Sequence, residues 1–403
     1  MRTTTTLLAA LFAIAAHAQT ITTWTTQDGL PSNDLRDVAI GPDGKVWIAT
    51  SQGVAVFDGS SFTVHNTTSH PGLADNDTYA VEVVSNGTAW VGTDFGLSFF
   101  DSGVYQTYTT ANGLGGNEVK DVKVAPNGDV WIATSNGASR FIGGGFTAFG
   151  PPDIPFGGAR HVAFSGTDVL ISSGLGGMIV YNGTGFTAVT TAQGLLSNRL
   201  RAIAVDGQQH RWVATDEGIS LMSSDNTHIA DHAHVFLLPP PDELNPITDV
   251  DIDGQGRIWA AVYVDYLVTE GGVSWFNGVA WTQIETSDGL AGPNVRRLAI
   301  DQDDNVWVAT STGLSRISGV EIGMGEIAQG EGFRLYPNPA SDQVVVQADG
   351  LRGQWAELRD ASGRMLRHAW IASDRETLDV SGLPDGPYVM RIGGAARRFV
   401  VAH

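Results

Sequence analysis

Residues 27–50 read QDGLPSNDLRDVAIGPDGKVWIAT, and the same arrangement returns along the chain. A Gly-Leu pair and an Asn come first, followed by an apolar stretch, a polar turn and an apolar strand centred on Trp. In the five clearest copies the glycine lies eighteen positions before the Trp, in the pairs Gly29 and Trp47, Gly72 and Trp90, Gly113 and Trp131, Gly194 and Trp212, and Gly289 and Trp307. Repeats of about forty residues are typical of propellers and solenoids.

Two weaker copies complete the set. Leu170 stands where Trp is expected in the fourth copy, and the sixth keeps Trp259 but has Pro241 in place of the glycine. The seven centres are separated by 43, 41, 39, 42, 47 and 48 residues, so the last two intervals contain loop insertions. Each copy contains four short apolar runs separated by turn residues, which predicts one four-stranded blade. The fold class is therefore all-β, with a seven-bladed β-propeller over residues 19–320.

The first and last repeats predict how the ring closes. The seventh repeat has no convincing outer strand after residues 313–317, whereas Ile21-Thr-Thr-Trp24 resembles the outer strands of other repeats. We therefore predict that the N-terminal strand completes blade seven, which would remove an exposed hydrogen-bonding edge.

The N-terminus indicates export. Arg2, an apolar run over residues 7–16 and the small-residue segment Ala16-His17-Ala18 have the order of a cleaved secretory signal, predicted over residues 1–18. That run is shorter than the roughly 20 residues that a membrane span needs, so no transmembrane span is expected. The chain contains no cysteine, which excludes thiol catalysis and disulfides.

Charge is distributed unevenly. The chain has a formal net charge of −20, and residues 333–403 hold nine Arg and eight acidic residues, which leaves 14 basic and 35 acidic residues before them. An acidic propeller repels phosphate backbones and anionic lipid, so no nucleic acid partner is expected, and cationic or neutral ligands are favoured.

The repeated segments resemble those of the two-component regulator propeller family. The resemblance rests on Gln27–Asn33 with Gly44–Thr50, and on Ser287–Leu290 with Asn305–Thr310, and it covers roughly residues 20–320. It implies an extracellular propeller of the kind found in periplasmic sensor halves of hybrid histidine kinases, often linked to polysaccharide sensing, and in secreted proteins. The kinase half is absent from this sequence.

A second composition begins after the Gly-rich linker over residues 321–332. Leu335–Pro339, Gln343–Gln347, Leu358–Gly363, Leu378–Leu383 and Gly386–Ile392 occur in the order of the type A sorting domain of type IX secretion, which they resemble. The resemblance implies a small Ig-like β-sandwich over residues 333–403, with the type IX machinery of a Bacteroidetes-type cell as partner. It also implies a location in the medium or on the outer cell surface, reached through the periplasm.

Three histidines are a candidate metal site. His228, His232 and His234 lie close together after the second strand of blade five, and three imidazole nitrogens could bind zinc. The alternative is a polar loop before an outer strand at 234–238. The acidic segment 249–254 imitates a calcium loop, but its twelfth position is Ala260, which cannot supply the bidentate carboxylate, so we interpret it as strand and turn.

The loop after the second strand of blade six carries the candidate ligand-binding residues Tyr263, Asp265, Tyr266 and Glu270. Rim loops supply function on propellers because the blades are committed to packing. The repeat tryptophans are expected in the core for the same reason. The alternative for the loop is packing over the channel.

We therefore expect an extracellular binding module for a glycan or protein ligand, with no cofactor. A nucleophile elbow of the Gly-x-Ser-x-Gly type does not occur in the sequence. Two alternatives stay open, because the separation of carboxylates is not readable from sequence. One is a propeller enzyme such as a polysaccharide lyase or a streptogramin-lyase-like enzyme, and the other is a structural surface protein.

Overall fold

The computed structural model describes residues 19–85, 87–154, 158–236, 245–263, 270–278 and 280–320 of the propeller. In the tail it describes residues 333–337, 340–347, 355–360, 365–371, 373, 375–384, 386–392 and 395–403. The predicted signal at 1–18, the linker at 321–332, and Asp265 and Tyr266 lie outside the described residues. No helix in these ranges is long and apolar enough to cross a bilayer.

The first half of the propeller is built from regular antiparallel hairpins. Its strands are β1 (Thr20–Trp24), β2 (Leu35–Ile40), β3 (Val46–Thr50), β4 (Gly53–Phe57), β5 (Phe62–His65), β6 (Thr78–Ser85), β7 (Thr88–Thr93), β8 (Gly96–Asp101), β9 (Val104–Tyr108), β10 (Val119–Val124), β11 (Val130–Thr134), β12 (Gly137–Ile142) and β13 (Gly145–Phe149). Apart from β1, each successive group of four, from β2 onward, forms one sheet, and we number these sheets as blades 1 to 3.

The second half continues the series. Its strands are β14 (Ala159–Ser165), β15 (Asp168–Ser173), β16 (Met178–Tyr181), β17 (Phe186–Val189), β18 (Leu200–Val205), β19 (Arg211–Thr215), β20 (Gly218–Met222), β21 (His228–His232), β22 (Ile247–Ile252), β23 (Ile258–Tyr263), β24 (Gly271–Phe276), β25 (Trp281–Ile284), β26 (Val295–Ile300), β27 (Val306–Thr310) and β28 (Gly313–Ser318). They form blades 4 to 6 and three strands of blade 7.

The ring is closed by the N-terminal strand, as predicted. Strand β1 pairs antiparallel with β28, with Ile21 opposite Ile317, and so becomes the outer strand of blade 7. The inner strands of neighbouring blades contact one another in sequence, and β2 of blade 1 also contacts β26 of blade 7. The described residues thus form a closed seven-bladed propeller.

Each interface between blades has its own apolar core. The repeat Trp, or Leu170 in blade 4, lies in the cluster shared with the next blade, and none of these seven side chains is more than 6% exposed. The small residue two positions later makes room for that neighbour. At Gly92, an added Cβ would lie 2.6 Å from Cγ1 of Val119 in the next blade.

The remaining repeat residues shape the turns. In four of the five clear copies the Gly-Leu glycine ends a short 3₁₀ helix. Among the described residues these helices are Thr26–Asp28, Thr110–Asn112, Thr191–Gln193 and Thr286–Asp288. After the helix ending at Gly29, Leu30 is 3% exposed, and the side-chain oxygen of Asn33 accepts from the Thr26 N–H at 2.7 Å. Thr50 closes the next turn, because its hydroxyl donates to the Gly53 carbonyl at 2.7 Å.

The tail is a small β-sandwich of its own. Its strands are β29 (Arg334–Tyr336), β30 (Gln343–Gln347), β31 (Trp355–Asp360), β32 (Met365–Trp370), β33 (Arg375–Asp379), β34 (Gly386–Ile392) and β35 (Ala395–Val401). They form a three-stranded sheet in the order β29-β30-β33 and a four-stranded sheet in the order β32-β31-β34-β35. Both sheets contribute to one core, which includes Val344, Val346, Leu358, Met390 and Phe399.

The closing strand generates a stability prediction. The Trp24 ring stacks on Trp307 with centroids 5.4 Å apart and contacts Phe57 at 5.2 Å. Trp24→Ala should lower the free energy of unfolding by about 3 kcal/mol, because a large aromatic is removed from a blade seam. Thr23→Ala, on the exposed side of the same strand, should change it by less than about 0.5 kcal/mol. Urea unfolding of both variants checks this. If the two variants were equally stable, the Trp24 contacts of the closing strand would contribute little to the free energy of unfolding.

Candidate functional site

The inner strand of every blade contains a β-bulge after its first residue, and we call the extra residue of this shared bulge the bulged residue; β6 of blade 2 has a second shift between Val83 and Ser85. In blade 1, Leu35 pairs with Thr50 and Asp37 pairs with Ala49, so Arg36 has no partner across the ladder. A bulge redirects the side chain of the extra residue. The seven bulged residues are Arg36, Tyr79, Lys120, Arg160, Arg201, Thr248 and Arg296.

All seven bulged residues line one cavity of about 610 Å³ at an end of the central channel. The other residues that line it are Glu118, Ser135, Ala159, Tyr263 and Arg297. We call this set of twelve residues the mouth. Its volume lies in the range of small-molecule sites, roughly 300–1,000 Å³.

The mouth is rich in cations although the chain is acidic. Five of the seven bulged residues are Arg or Lys, and Arg297 adds a sixth basic group, in a chain of net charge −20. Low-dielectric walls concentrate the field of such groups, so the mouth favours an anionic ligand. The expectation of cationic or neutral ligands rested on net charge and did not foresee this basic cluster.

Most of these cations have carboxylate partners around the rim. Arg36 lies 3.2 Å from both Asp34 and Asp77, and the Nη1 atom of Arg296 is 2.6 Å from Asp34. Lys120 pairs with Glu118 and lies 4.0 Å from Asp94. Pairs this accessible to solvent contribute about 0–1 kcal/mol each, so a ligand could compete for them.

Tyr79 is held in place by its neighbours. Arg36 and Lys120 each lie 4.8 Å from the centre of its ring, and its hydroxyl contacts the carboxylates of Asp77 at 3.0 Å and Asp94 at 3.1 Å. Burial and these carboxylates raise the pKa of Tyr79 to about 12. The ring therefore orders two cations of the mouth.

Arg160 differs from the other mouth cations. Among the described residues its side chain makes no hydrogen bond or ion pair, and its guanidinium lies over Gly174, where an added Cβ would be 3.0 Å from Nε. Arg201, on the next blade, donates from Nε to Asp216 at 3.1 Å. Burial and the nearby charge of Arg201 lower the pKa of Arg160, although Asp216 opposes this.

Below the mouth, carboxylates link neighbouring blades. Asp37, Asp121 and Asp249 follow bulges, and each accepts a backbone N–H from the next blade at 2.8 Å, from Val81, Val162 and Leu298 respectively. They line a narrower cavity of about 280 Å³ in the channel. The junctions of blades 1 and 2, 3 and 4, and 6 and 7 are thus fastened by a buried carboxylate as well as by apolar contact.

Burial changes the titration of this channel. It raises the pKa of Asp37 to about 7 and that of Asp249 to about 6, although Arg297 acts in the opposite direction on both. Burial also lowers the pKa of His161 to about 4, so its imidazole is neutral at neutral pH. The channel therefore holds protonatable carboxyls next to Arg297 and Lys123.

The structure places the predicted loop residues as follows. Tyr263 ends β23 and lines the mouth, half-buried, beside the bulged Thr248 of the same blade. Glu270 directly precedes β24 and is also half-buried. Ligand contact by these residues stays a prediction, with Asp265 and Tyr266 outside the described residues.

The three histidines do not form a ligand set in the described structure. His228 and His232 lie within the outer strand β21, so the interpretation of this segment as a loop before a strand at 234–238 is wrong. Val235 and Phe236 follow β21 and are buried between blades 5 and 6. His232 accepts from the Trp281 indole N–H at 3.2 Å and stacks on Trp212. His228 contacts Asp231 at 3.1 Å, and His234 is exposed.

Metal binding by these histidines stays a prediction, and the described residues contain no group of three or more side chains placed to bind one metal ion. The calcium-like segment is strand and turn, as interpreted. The carboxylate of Asp253 accepts from the backbone of Gln255 and Arg257 and from the Trp259 indole.

Sequence reasoning missed the basic residues of the mouth. Six of the seven bulged residues lie eleven positions before the repeat Trp, and Arg160 lies ten before Leu170. Aligning the repeats on Trp would have shown Arg or Lys at this position in four copies, with Arg160 displaced by one residue in the copy centred on Leu170. The net charge of the whole chain does not reveal this basic position, whereas an alignment of the repeats does.

Fold and site together define a propeller with a mouth of the size of a small-molecule site. Comparison with known proteins identifies the tail and the fold of the propeller. Residues 334–401 match the family described as the secretion system C-terminal sorting domain. The chain therefore carries a type IX sorting domain, which directs it to the cell surface. No curated protein matches the sequence.

Solved structures share the propeller. The extracellular domain assigned to the hybrid two-component system BT3049 of B. thetaiotaomicron is 17% identical, with a TM-score of 0.62, over 82% of this chain and 47% of that one. PorZ, a surface component of the type IX secretion system of Porphyromonas gingivalis, is 19% identical, with a TM-score of 0.59, over 93% of this chain and 60% of that one.

Virginiamycin B lyase of Staphylococcus aureus is 14% identical, with a TM-score of 0.55, over 75% of this chain and 99% of the lyase. The chain spans about half of BT3049 and 60% of PorZ. At these identities the similarity establishes the fold alone.

The buried Asp37 generates a pH prediction. Its pKa of about 7 lies above the ordinary 3.8, so the folded state holds an extra proton between these values, and its contribution to stability falls as pH rises through this window. Asp37→Asn keeps an acceptor for the Val81 N–H but removes the titration. The variant should gain stability relative to wild type between about pH 4 and pH 7.5, by at most about 4 kcal/mol.

Urea unfolding at several pH values measures this difference. Asp101→Asn, at the exposed end of β8, is the control and should follow the wild-type curve. If the Asp37→Asn curve also ran parallel to wild type, the carboxyl would not hold the extra proton.

Proposed function

We propose that this protein is a secreted cell-surface binding module. It binds the anionic groups of an extracellular ligand at the mouth of its propeller. One observation carries the proposal: all seven blades place a bulge at the same position, and five of the seven bulges direct Arg or Lys into one cavity. Bulges near functional sites are a common means of re-aiming side chains.

A purely structural role explains this arrangement poorly. Converging like charges repel one another, and partial burial removes some of their hydration, so the cluster costs stability that ring closure does not require. The apolar interfaces already hold the blades together. A bound anion would offset this cost, which supports binding.

The chemistry of the mouth also favours binding over turnover. Among the described lining residues none is His, and the carboxylate of Glu118 is paired with Lys120. A free general base is therefore missing from the described mouth, although a lyase-like activity is an outcome that the test below detects.

Binding is testable with labelled oligosaccharides. Oligogalacturonate and chondroitin sulfate fragments should bind with saturation, whereas neutral maltooligosaccharides should not. Raising NaCl from about 50 to 500 mM should weaken binding at least tenfold, because salt screens the mouth cations. Chromatography of the incubated probes detects cleavage.

The outcomes separate the candidate functions. Saturable, salt-sensitive binding without product supports the module, whereas shortened fragments would indicate an enzyme. If neutral and acidic probes bound equally, or if no probe bound, the proposal that the mouth binds anionic groups of the ligand would be contradicted.

Export is testable separately. A chain truncated after Gly330 lacks the sorting domain and should accumulate in the periplasm of a type IX-competent host, whereas the full chain should reach the surface or medium. Fractionation with immunodetection measures this, and a point variant in the propeller, Thr23→Ala, controls for expression. Normal export of the truncated chain would contradict the sorting role.

A further inference from the structure

The cations of the mouth are not equivalent. On the side of blades 1 to 3 and 7, Arg36, Lys120 and Arg296 already pair with carboxylates, and Arg296 also donates to the Leu35 carbonyl at 2.9 Å. A ligand that uses these groups must first displace their partners. Their positive charge is largely compensated before any ligand arrives.

The side of blades 4 and 5 is different. Arg160 has no side-chain partner among the described residues, and Arg201 uses only Nε, at 3.1 Å from Asp216, so its two terminal nitrogens have no hydrogen-bond partner in the described structure. One carboxylate, Asp216, is also shared with Arg199 at 3.5 Å. Arg160, Arg199 and Arg201 thus have one carboxylate, Asp216, close to them, and positive charge exceeds negative charge in this part of the mouth.

The next blade supplies a different kind of surface. Tyr263 of blade 6 lines the same cavity, and its ring makes no aromatic or cation contact with the described residues. The ring of Tyr79, in contrast, has Arg36 and Lys120 each at 4.8 Å from its centre, and the Tyr79 hydroxyl contacts two carboxylates. Tyr263 is thus the aromatic ring of the described mouth that is available to a ligand.

These three residues follow one another around the ring, on blades 4, 5 and 6. Guanidinium groups bind carboxylates and sulfates through paired N–H donors, and this geometry is specific to Arg. An aromatic ring offers an apolar face to the C–H groups of a pyranose. An acidic sugar presents both features within one residue, an anionic substituent and an apolar ring face.

We propose, as an extension of the proposed function, that the ligand is an acidic oligosaccharide whose carboxylate or sulfate docks on Arg160 and Arg201 while a sugar ring lies on Tyr263. Gly174 positions Arg160, because the guanidinium rests where a Cβ would otherwise stand. A peptide is disfavoured, since the lining outside Tyr263 and Ala159 is charged or hydroxylic and offers no apolar pocket for side chains.

The test compares Arg variants by binding of labelled oligogalacturonate and chondroitin sulfate tetrasaccharide, the first carrying only carboxylates and the second also sulfate. Arg160→Gln and Arg201→Gln should each weaken the better probe about tenfold or more, because each removes charge-assisted hydrogen bonds. Arg36→Gln should weaken it less than about threefold, since Asp34 and Asp77 already hold that group. Arg140→Gln, remote from the mouth and paired with Asp129, should leave binding unchanged.

Two further variants test positioning and stacking. Gly174→Ala should weaken binding by displacing the Arg160 guanidinium, and this effect should vanish in the Arg160→Gln background. Tyr263→Ala should weaken binding of both probes, whereas Tyr263→Phe, which keeps the ring, should retain it. Thermal unfolding of each variant shows that the propeller is intact.

The outcomes distinguish this inference from the function it extends. If no acidic probe bound the wild-type protein, the proposed function itself would fail. If probes bound but Arg36→Gln cost as much as Arg160→Gln, the subsite would be wrong while capture of anions stood. Binding of an acidic peptide in preference to both sugars would overturn the ligand class.

Discussion

The packing of blade against blade is the interaction on which the rest of the structure depends. Each central strand is apolar on both faces, so no blade can bury its surface alone, and each repeat Trp fills the interface with the next blade. Because the chain contains no cysteine, no disulfide supports the ring, and its closure depends on these interfaces and on the pairing of β1 with β28. This explains why the chain sends its N-terminal strand to the last blade rather than leaving two open edges.

The same constraint determines where function can reside. Side chains of the second and third strands are committed to the interfaces, and those of the inner strand would be as well if its register were regular. The bulge after the first inner-strand residue releases one side chain per blade from this packing. The mouth is therefore a set of positions that can vary without disturbing the core, and this chain fills most of them with Arg or Lys.

The sequence predicts the fold well for a physical reason. A Trp at a fixed distance from Gly-Leu indicates a turn followed by a side chain buried between two blades, and both features are local and repeated. The strands of blade 1 and the closing strand β1 can therefore be predicted from the pattern alone. The outer strand of blade 5 was misplaced because His228–His232 carries no apolar alternation, and the buried pair Val235 and Phe236 imitates a strand. Edge strands with one solvated face give a weaker signal than central ones.

The site was harder to predict because its meaning depends on closure. Arg160 and Arg201 are 41 positions apart in sequence, and neither looks unusual within its own repeat. Only when the blades form a ring do the bulged residues meet, and only then does a local excess of positive charge arise within an acidic chain. Burial and the nearby charge of Arg201 outweigh the opposing carboxylate of Asp216 at Arg160, so the guanidinium there would gain most from an anionic partner. Within an acidic chain, the positive field of the mouth is thus confined to the channel end.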